Sequence, residues 1–246
     1  MPSWEITTLE YDVPLGRLLE RRLREVGVSA APEPAGDGVR VRLAGKDALQ
    51  KLSQAVKKVL LRDLQYLVLA RMADAMPLSL AEKRTVLTDA LYNARMREDG
   101  AGLEYALERF LREERRLCLD GFLHFRMQDT LMLWQLCTEQ AAGKVLVQKE
   151  YGELMRTLRE YVRSQRIRMG ELRLRIRADG SCTLMDDDRL MIEYADSSPD
   201  GIVTLLVNMA PQRIVIYDES GGMQKRLCEM LQQVFSGRIE VRKERL

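Results

Sequence analysis

His124, Arg126 and Asp129 stand close together on one segment and are the first residues to test for chemistry. His124 is the only histidine of the chain, and an imidazole can carry a proton in either direction near neutral pH. Arg126 and Asp129 have the three-residue spacing of an ion pair on one helix face. What the group lacks is a nucleophile, since no serine or cysteine has a sequence context that would pair it with His124. Phe122 and Phe125 flank the histidine and give the segment the character of a packed helix start. The three residues are candidates for a structural role, with Arg126 satisfying a carboxylate or a helix end.

A second group is acidic. Asp186, Asp187 and Asp188 follow one another, with Glu193 and Asp196 nearby. Grouped carboxylates hold Mg²⁺ or Ca²⁺ through oxygen, which is the basis for an alternative reading as a metal-dependent enzyme using the acids near the 178–196 hairpin. The run lacks the spacing and glycine of an EF-hand, so a polar turn is the simpler account. Tyr217 to Gly222 links a strand to a helix, a place where anions can bind. Asp218 and Glu219 would repel phosphate there, although either could cap the helix. The four cysteines are widely separated, and with one histidine they give no zinc pattern. Cys118, Cys137 and Cys228 sit in helical patterns and read as small buried hydrophobes. No catalytic residue, metal or cofactor is assigned.

The third group is basic. Arg156, Arg159, Arg163, Arg166, Arg168, Arg173, Arg175 and Arg177 face only Glu160 and Glu171 in that stretch, a local excess of six positive charges against +2 for the chain. Tyr151, Leu154, Met155, Leu158, Tyr161 and Val162 have the spacing of a buried helix face. Arg156, Arg159, Arg163 and Arg166 form a stripe beside it. Past Gly170 the period becomes two, with Arg173, Arg175 and Arg177 alternating with Leu172, Leu174 and Ile176. Arginine stems can simply cover apolar neighbours. They can also form one continuous face that binds phosphate or carboxylate, for which the guanidinium fork is suited. An acidic protein partner is the preferred ligand. Nucleic acid is the weaker reading, because Tyr151 and Tyr161 are assigned to the core and no stacking platform is left.

Three blocks carry a family resemblance: GFLHFR from Gly121, KEYGELMRTLREYVRSQ from Lys149 and NMAPQRIVIYD from Asn208. They resemble the YtxC-like family, associated with sporulation in endospore-forming bacteria, over about the C-terminal half of the chain. Met127 stands where the family tends to have leucine, and Leu154 where an aromatic is common. The resemblance implies a sporulation setting and no particular mechanism.

Around these groups the chain has ordinary globular proportions: 246 residues, 46% hydrophobic and 31% charged. The start of the chain has no basic and apolar signal pattern. No stretch approaches the ~20 apolar residues of a membrane span. A cytoplasmic location with reduced thiols is the expectation. Periodicity predicts an α+β protein with a helical middle region flanked by N-terminal and C-terminal α/β segments. Residues 1–45 read as strand, helix and strand, with a loop over 30–38. Residues 46–168 read as five helices: about 47–75, 79–97, 103–119, 121–142 and 144–165. Ser79 and Glu82 form a capping box, Asp120 caps the fourth helix, and Gly143 separates the last two. Residues 169–246 read as a hairpin about Asp179-Gly180, then a helix begun by Ser198 and Pro199. A parallel strand–helix–strand crossover follows. These three segments are either separate or parts of one domain.

Overall fold

The computed structural model describes residues 2–97, 100–186, 189–194 and 198–242. It is an α+β protein, with helices in the middle and sheets towards both ends. The chain divides into two compact units, Met1–Leu146 and Val147–Leu246.

In the first unit, Trp4 and Ile6 alternate inward along β1 (Ser3–Thr7) and are buried. The indole Nε1 of Trp4 donates to the carbonyl of Leu111 at 2.8 Å. The helix α1 (Leu15–Glu25) buries Leu15, Leu19 and Leu23. The predicted loop over 30–38 contains a short edge strand, β2 (Glu33–Ala35), beside β3 (Gly38–Arg42). Pro34 is tolerated there because an edge strand does not need every N–H. A β-carbon on Gly38 would lie 2.3 Å from the carbonyl oxygen of Ile6, so the start of β3, paired with the end of β1, has room only for glycine.

The predicted helix over 47–75 forms, but not as one regular helix. It is built from α2 (Ala48–Lys58), a π-helical segment (Val59–Leu64) and α3 (Gln65–Asp74). The wider π turn lets Val59, Leu60, Leu61 and Leu64 all bury. The capping box precedes α4 (Leu80–Arg97): Ser79 N donates to Glu82 at 2.7 Å, and Glu82 N donates to Ser79 Oγ at 3.4 Å. The helix predicted over 103–119 starts earlier, as α5 (Gly100–Glu113), and includes Gly100 and Gly102. It ends earlier than predicted. Arg116–Cys118 instead forms β4, parallel to β1, where Leu117 enters the core. Cys118 is therefore a strand residue, not a helical one. The sheet order is β2-β3-β1-β4.

Two more helices differ from the sequence reading. α6 (Leu119–Arg126) already contains Asp120, which caps something else. α7 (Gln128–Ser164) runs through Gly143 without interruption. An added β-carbon at Gly143 meets nothing within 4 Å, so no packing reason breaks the helix there. Residues 146–154 of α7 are exposed on every face, and the division between the two units falls in this span.

In the second unit, β5 (Met169–Ile176), β6 (Cys182–Asp186) and β7 (Arg189–Tyr194) form an antiparallel meander. β7 was not foreseen. The turn is the predicted one: Gly180 has φ +85°, and Asp179 accepts from Ser181 N at 2.9 Å. Ser198 caps α8 (Pro199–Met209) by accepting from Gly201 N at 3.2 Å. β8 (Pro211–Asp218), α9 (Lys225–Val234) and β9 (Ile239–Arg242) make the predicted parallel crossover. The order is β7-β6-β5-β8-β9, with β5 parallel to β8. Leu172, Leu174, Ile176, Ile214 and Ile216 pack with Met155 and Val162 of α7, Leu206 of α8 and Leu231 of α9 in one core.

Candidate functional site

The predicted arginine face is two groups, not one. Leu172, Leu174 and Ile176 point into the core that Met155 and Val162 share. By the alternation of a strand, Arg173, Arg175 and Arg177 point to the other side of the sheet. The expected continuity of Arg163 and Arg166 with Arg173 and Arg175 is therefore corrected: the ladder turns away from the core that α7 helps to build.

The ladder is also neutralised. Arg173 pairs with Glu171 at 3.3 Å, Arg175 with Glu219 at 2.9 Å and Arg177 with Glu193 at 3.0 Å. Glu171 pairs in turn with Arg213 of β8, Arg213 with Glu240 of β9, and Glu240 with Arg242. Alternating charges thus cross three parallel strands. Arg213 and Arg242 hold the Glu240 carboxyl below its usual range, Arg242 more strongly. Val215 lies on this side of the sheet and is only 1% exposed, so this face includes a fully buried apolar residue among its charged side chains.

The helical arginines have a different environment. Arg159 Nε donates to the carbonyl of Gln233 at 2.7 Å, and Arg163 reaches Ser236 Oγ at 3.5 Å. Both bonds go to neutral groups near the end of α9. Arg156, Arg166 and Arg168 are exposed and, among the described residues, have no ion-pair or hydrogen-bond partner for their side chains. The charges of the arginines between 156 and 168 are therefore not balanced by a carboxylate partner among the described residues, whereas those of the ladder are.

The aromatic assignment changes too. Met155, Leu158 and Val162 face the core, but Tyr151, Leu154 and Tyr161 are exposed, Tyr161 by 54%. The apolar stripe is wider than the surface available to cover it. At 3.6 residues per turn, Tyr161 lies across the helix from Arg163, so the tyrosines do not interleave with the arginines as a stacking platform would require.

His124 lies in the first unit, at a cleft of about 330 Å³ lined also by Glu10, Tyr11, Arg71, Met72, Leu131 and Met132. Its Nε2 is 3.3 Å from Glu10 Oε2, and Arg71 approaches the same oxygen at 3.9 Å. The Arg71 guanidinium also lies 5.1 Å above the Tyr11 ring. Burial pushes the Tyr11 hydroxyl up from its ordinary value. Arg126 and Asp129 do not join this group. Met127 separates their helices with φ −123° and ψ 33°, so the helical spacing that would pair them is lost, and neither has an ion-pair partner among the described residues.

Asp120 was missed as the residue that organises this corner. It is 4% exposed and accepts from Thr8 Oγ1 at 3.0 Å, from Glu10 N at 3.2 Å and from Leu9 N. It thereby holds the backbone that carries Glu10 towards His124. The sequence signal was an acid at a helix start, which is the same whether the acid caps its own helix or a distant turn.

The acidic group is only partly in view. Asp186 ends β6, and Glu193 of β7 is occupied by Arg177. Asp187, Asp188 and Asp196 lie outside the described residues. Among the described residues, no group of three or more His, Cys, Asp or Glu side chains could hold a metal ion. The Tyr217–Gly222 link is satisfied internally. Asp218 accepts from Ser220 N at 3.0 Å, Ser220 Oγ accepts from Gln224 N at 3.2 Å, and Glu219 is held by Arg175. The four cysteines are free thiols, and burial pushes Cys228 up to about 11. Among the described residues, no helix is long and apolar enough to cross a membrane.

The model of the YtxC-like family matches residues 80–240, well over half of the chain. The chain therefore belongs to the YtxC-like family. That region includes the His124 helix, all of α7 and the sheet up to β9. Neither the curated proteins nor the solved structures include a match to it.

Proposed function

We propose that this YtxC-like protein is a sporulation-associated cytoplasmic binding protein. It docks an acidic surface of a protein partner through the outer arginines of α7 and the turn that follows. Arg156, Arg163, Arg166 and Arg168 carry the contact, and no bond-making chemistry is required of the chain. The single observation behind this reading is the contrast between the two arginine groups. The strand arginines are paired with Glu171, Glu219 and Glu193, whereas Arg156, Arg166 and Arg168 have no carboxylate partner among the described residues. A guanidinium without an intramolecular carboxylate can pair bidentately with one from outside. Sporulation enters through the family, and the arginine contact through the charge arrangement.

Capture from sporulating cells tests this reading. The tagged chain should retain a protein partner with an acidic surface, and Arg163→Glu with Arg166→Glu should lose it while melting at the same temperature. Exposed charges contribute about 0–1 kcal/mol each to stability, so the fold tolerates the change. Equal recovery by the wild-type and reversed chains would reject the arginine contact.

A further inference from the structure

A second concentration of positive charge lies in the first unit, at the π-helical segment between α2 and α3. A cavity of about 410 Å³ is lined by Arg22, Glu25, Lys57, Lys58, Leu61, Arg62 and Arg95. That volume is within the range of small-molecule sites. Five of the seven lining residues are cations and one is an acid. Three of the cations are held in place. Lys57 pairs with Glu104 at 3.1 Å, Lys58 with Glu25 at 3.1 Å, and Arg22 with Glu25 at 2.6 Å and Asp63 at 2.8 Å. These carboxylates fix the positions of the cations and offset one charge each. Arg62 and Arg95 are the remainder. Both are exposed and, among the described residues, neither has an ion-pair or hydrogen-bond partner for its side chain. Arg62 sits inside the π turn, a local departure from the α-helix that recurs at functional sites. Leu61 supplies an apolar patch beside the charges.

We propose that this cavity binds a small anion carrying two or more phosphates. Two unpaired guanidinium groups on different helices suit a ligand with several separated anionic oxygens, because each fork can take a pair of oxygens. Glu25, Asp63 and Glu104 offset the three anchored cations, so the charge open to a ligand is that of Arg62 and Arg95, beside ammonium and guanidinium donors already held in place. A single phosphate leaves fewer oxygens for a second guanidinium fork than a chain of phosphates does, and a cation would be repelled. The arginines proposed to dock a protein, on α7 and in the turn after it, belong to the second unit and are not among the lining residues.

Calorimetric titration of the full chain tests the site, with tripolyphosphate, ATP and orthophosphate as probes at low and moderate salt. Tripolyphosphate should bind one to one and about tenfold or more tighter than orthophosphate, weakening with salt. Arg62→Gln with Arg95→Gln should weaken it about tenfold, with the melting temperature unchanged. Arg156→Gln with Arg166→Gln removes the same charge elsewhere and should change nothing. ATP binding as tightly as tripolyphosphate would mark a site for the phosphates alone, and tighter binding would mark one that also takes the nucleoside; either upholds the proposal. No binding of tripolyphosphate at about 1 mM, or an equal loss in both double variants, would overturn it.

Discussion

The Asp120 carboxylate accepts from Thr8 Oγ1, from the backbone N–H groups of Leu9 and Glu10 and, at 3.9 Å, from the Cys118 thiol, and its removal would leave the two backbone N–H groups without their partner. A partly buried donor left unsatisfied costs about 1–3 kcal/mol. Asp120→Ala should therefore lower stability by about 3 kcal/mol, read as a shift of the denaturant midpoint with an unchanged slope. A loss under about 1 kcal/mol would mean that the turn of residues 8–10 is held by something else. At this scale the sequence was legible where the signal was local. Ser79, Glu82, Asp179, Gly180 and Ser198 all do what their neighbours predict. Asp120 was not, because its partners lie more than a hundred positions away. The charge of Arg173, Arg175 and Arg177 was legible. Their glutamates, contributed by other strands or by a loop, mostly were not.

Helices and the central strands were visible in periodicity, whereas β2, β4 and β7 were not. β2 and β4 are three residues each and exist through pairing to β3 and β1, a tertiary fact that no short window carries. Conversely, a glycine does not by itself end a helix, as Gly143 shows. Gly143 and Gly152 lie in α7, exposed, with nothing within 4 Å of an added β-carbon. Gly152→Ala should stabilise the helix by about 0.5–1 kcal/mol, seen as a raised melting temperature. A drop would show that α7 needs to deform near that glycine. The contact of α2 with α5 gives a pH signature. Hydrogen bonds from Gln54 and then Lys57 hold Glu104 below its ordinary value of 4.5. The folded value is the lower one, so its contribution is complete above 4.5 and is lost as pH falls through the folded value. Glu104→Gln should cost about 1 kcal/mol or less at neutral pH, and the difference from wild type should shrink as the solution is acidified below the ordinary carboxylate value. A difference that does not depend on pH would assign the effect to packing.

For the whole molecule, charge balance near zero conceals strong local separation. A net charge of +2 gives no hint of it, but the chain carries a carboxylate-paired strand face, a group of arginines on α7 and in the turn after it that have no carboxylate partner among the described residues, and a basic cavity beside a π turn. The first two were foreseen as one surface because sequence adjacency resembles spatial adjacency. They separate because a helix and a strand in one core turn their polar sides in different directions. The cavity was not foreseen at all, since Arg22, Arg62 and Arg95 come from three distant segments. The most direct measurement is capture from sporulating cells with two charge reversals side by side. One carries Arg156→Glu, Arg163→Glu and Arg166→Glu; the other carries Arg173→Glu, Arg175→Glu and Arg177→Glu. The account predicts that the helix variant loses the partner and the strand variant, if it remains folded, keeps it. Loss in the strand variant with retention in the helix variant would contradict the account.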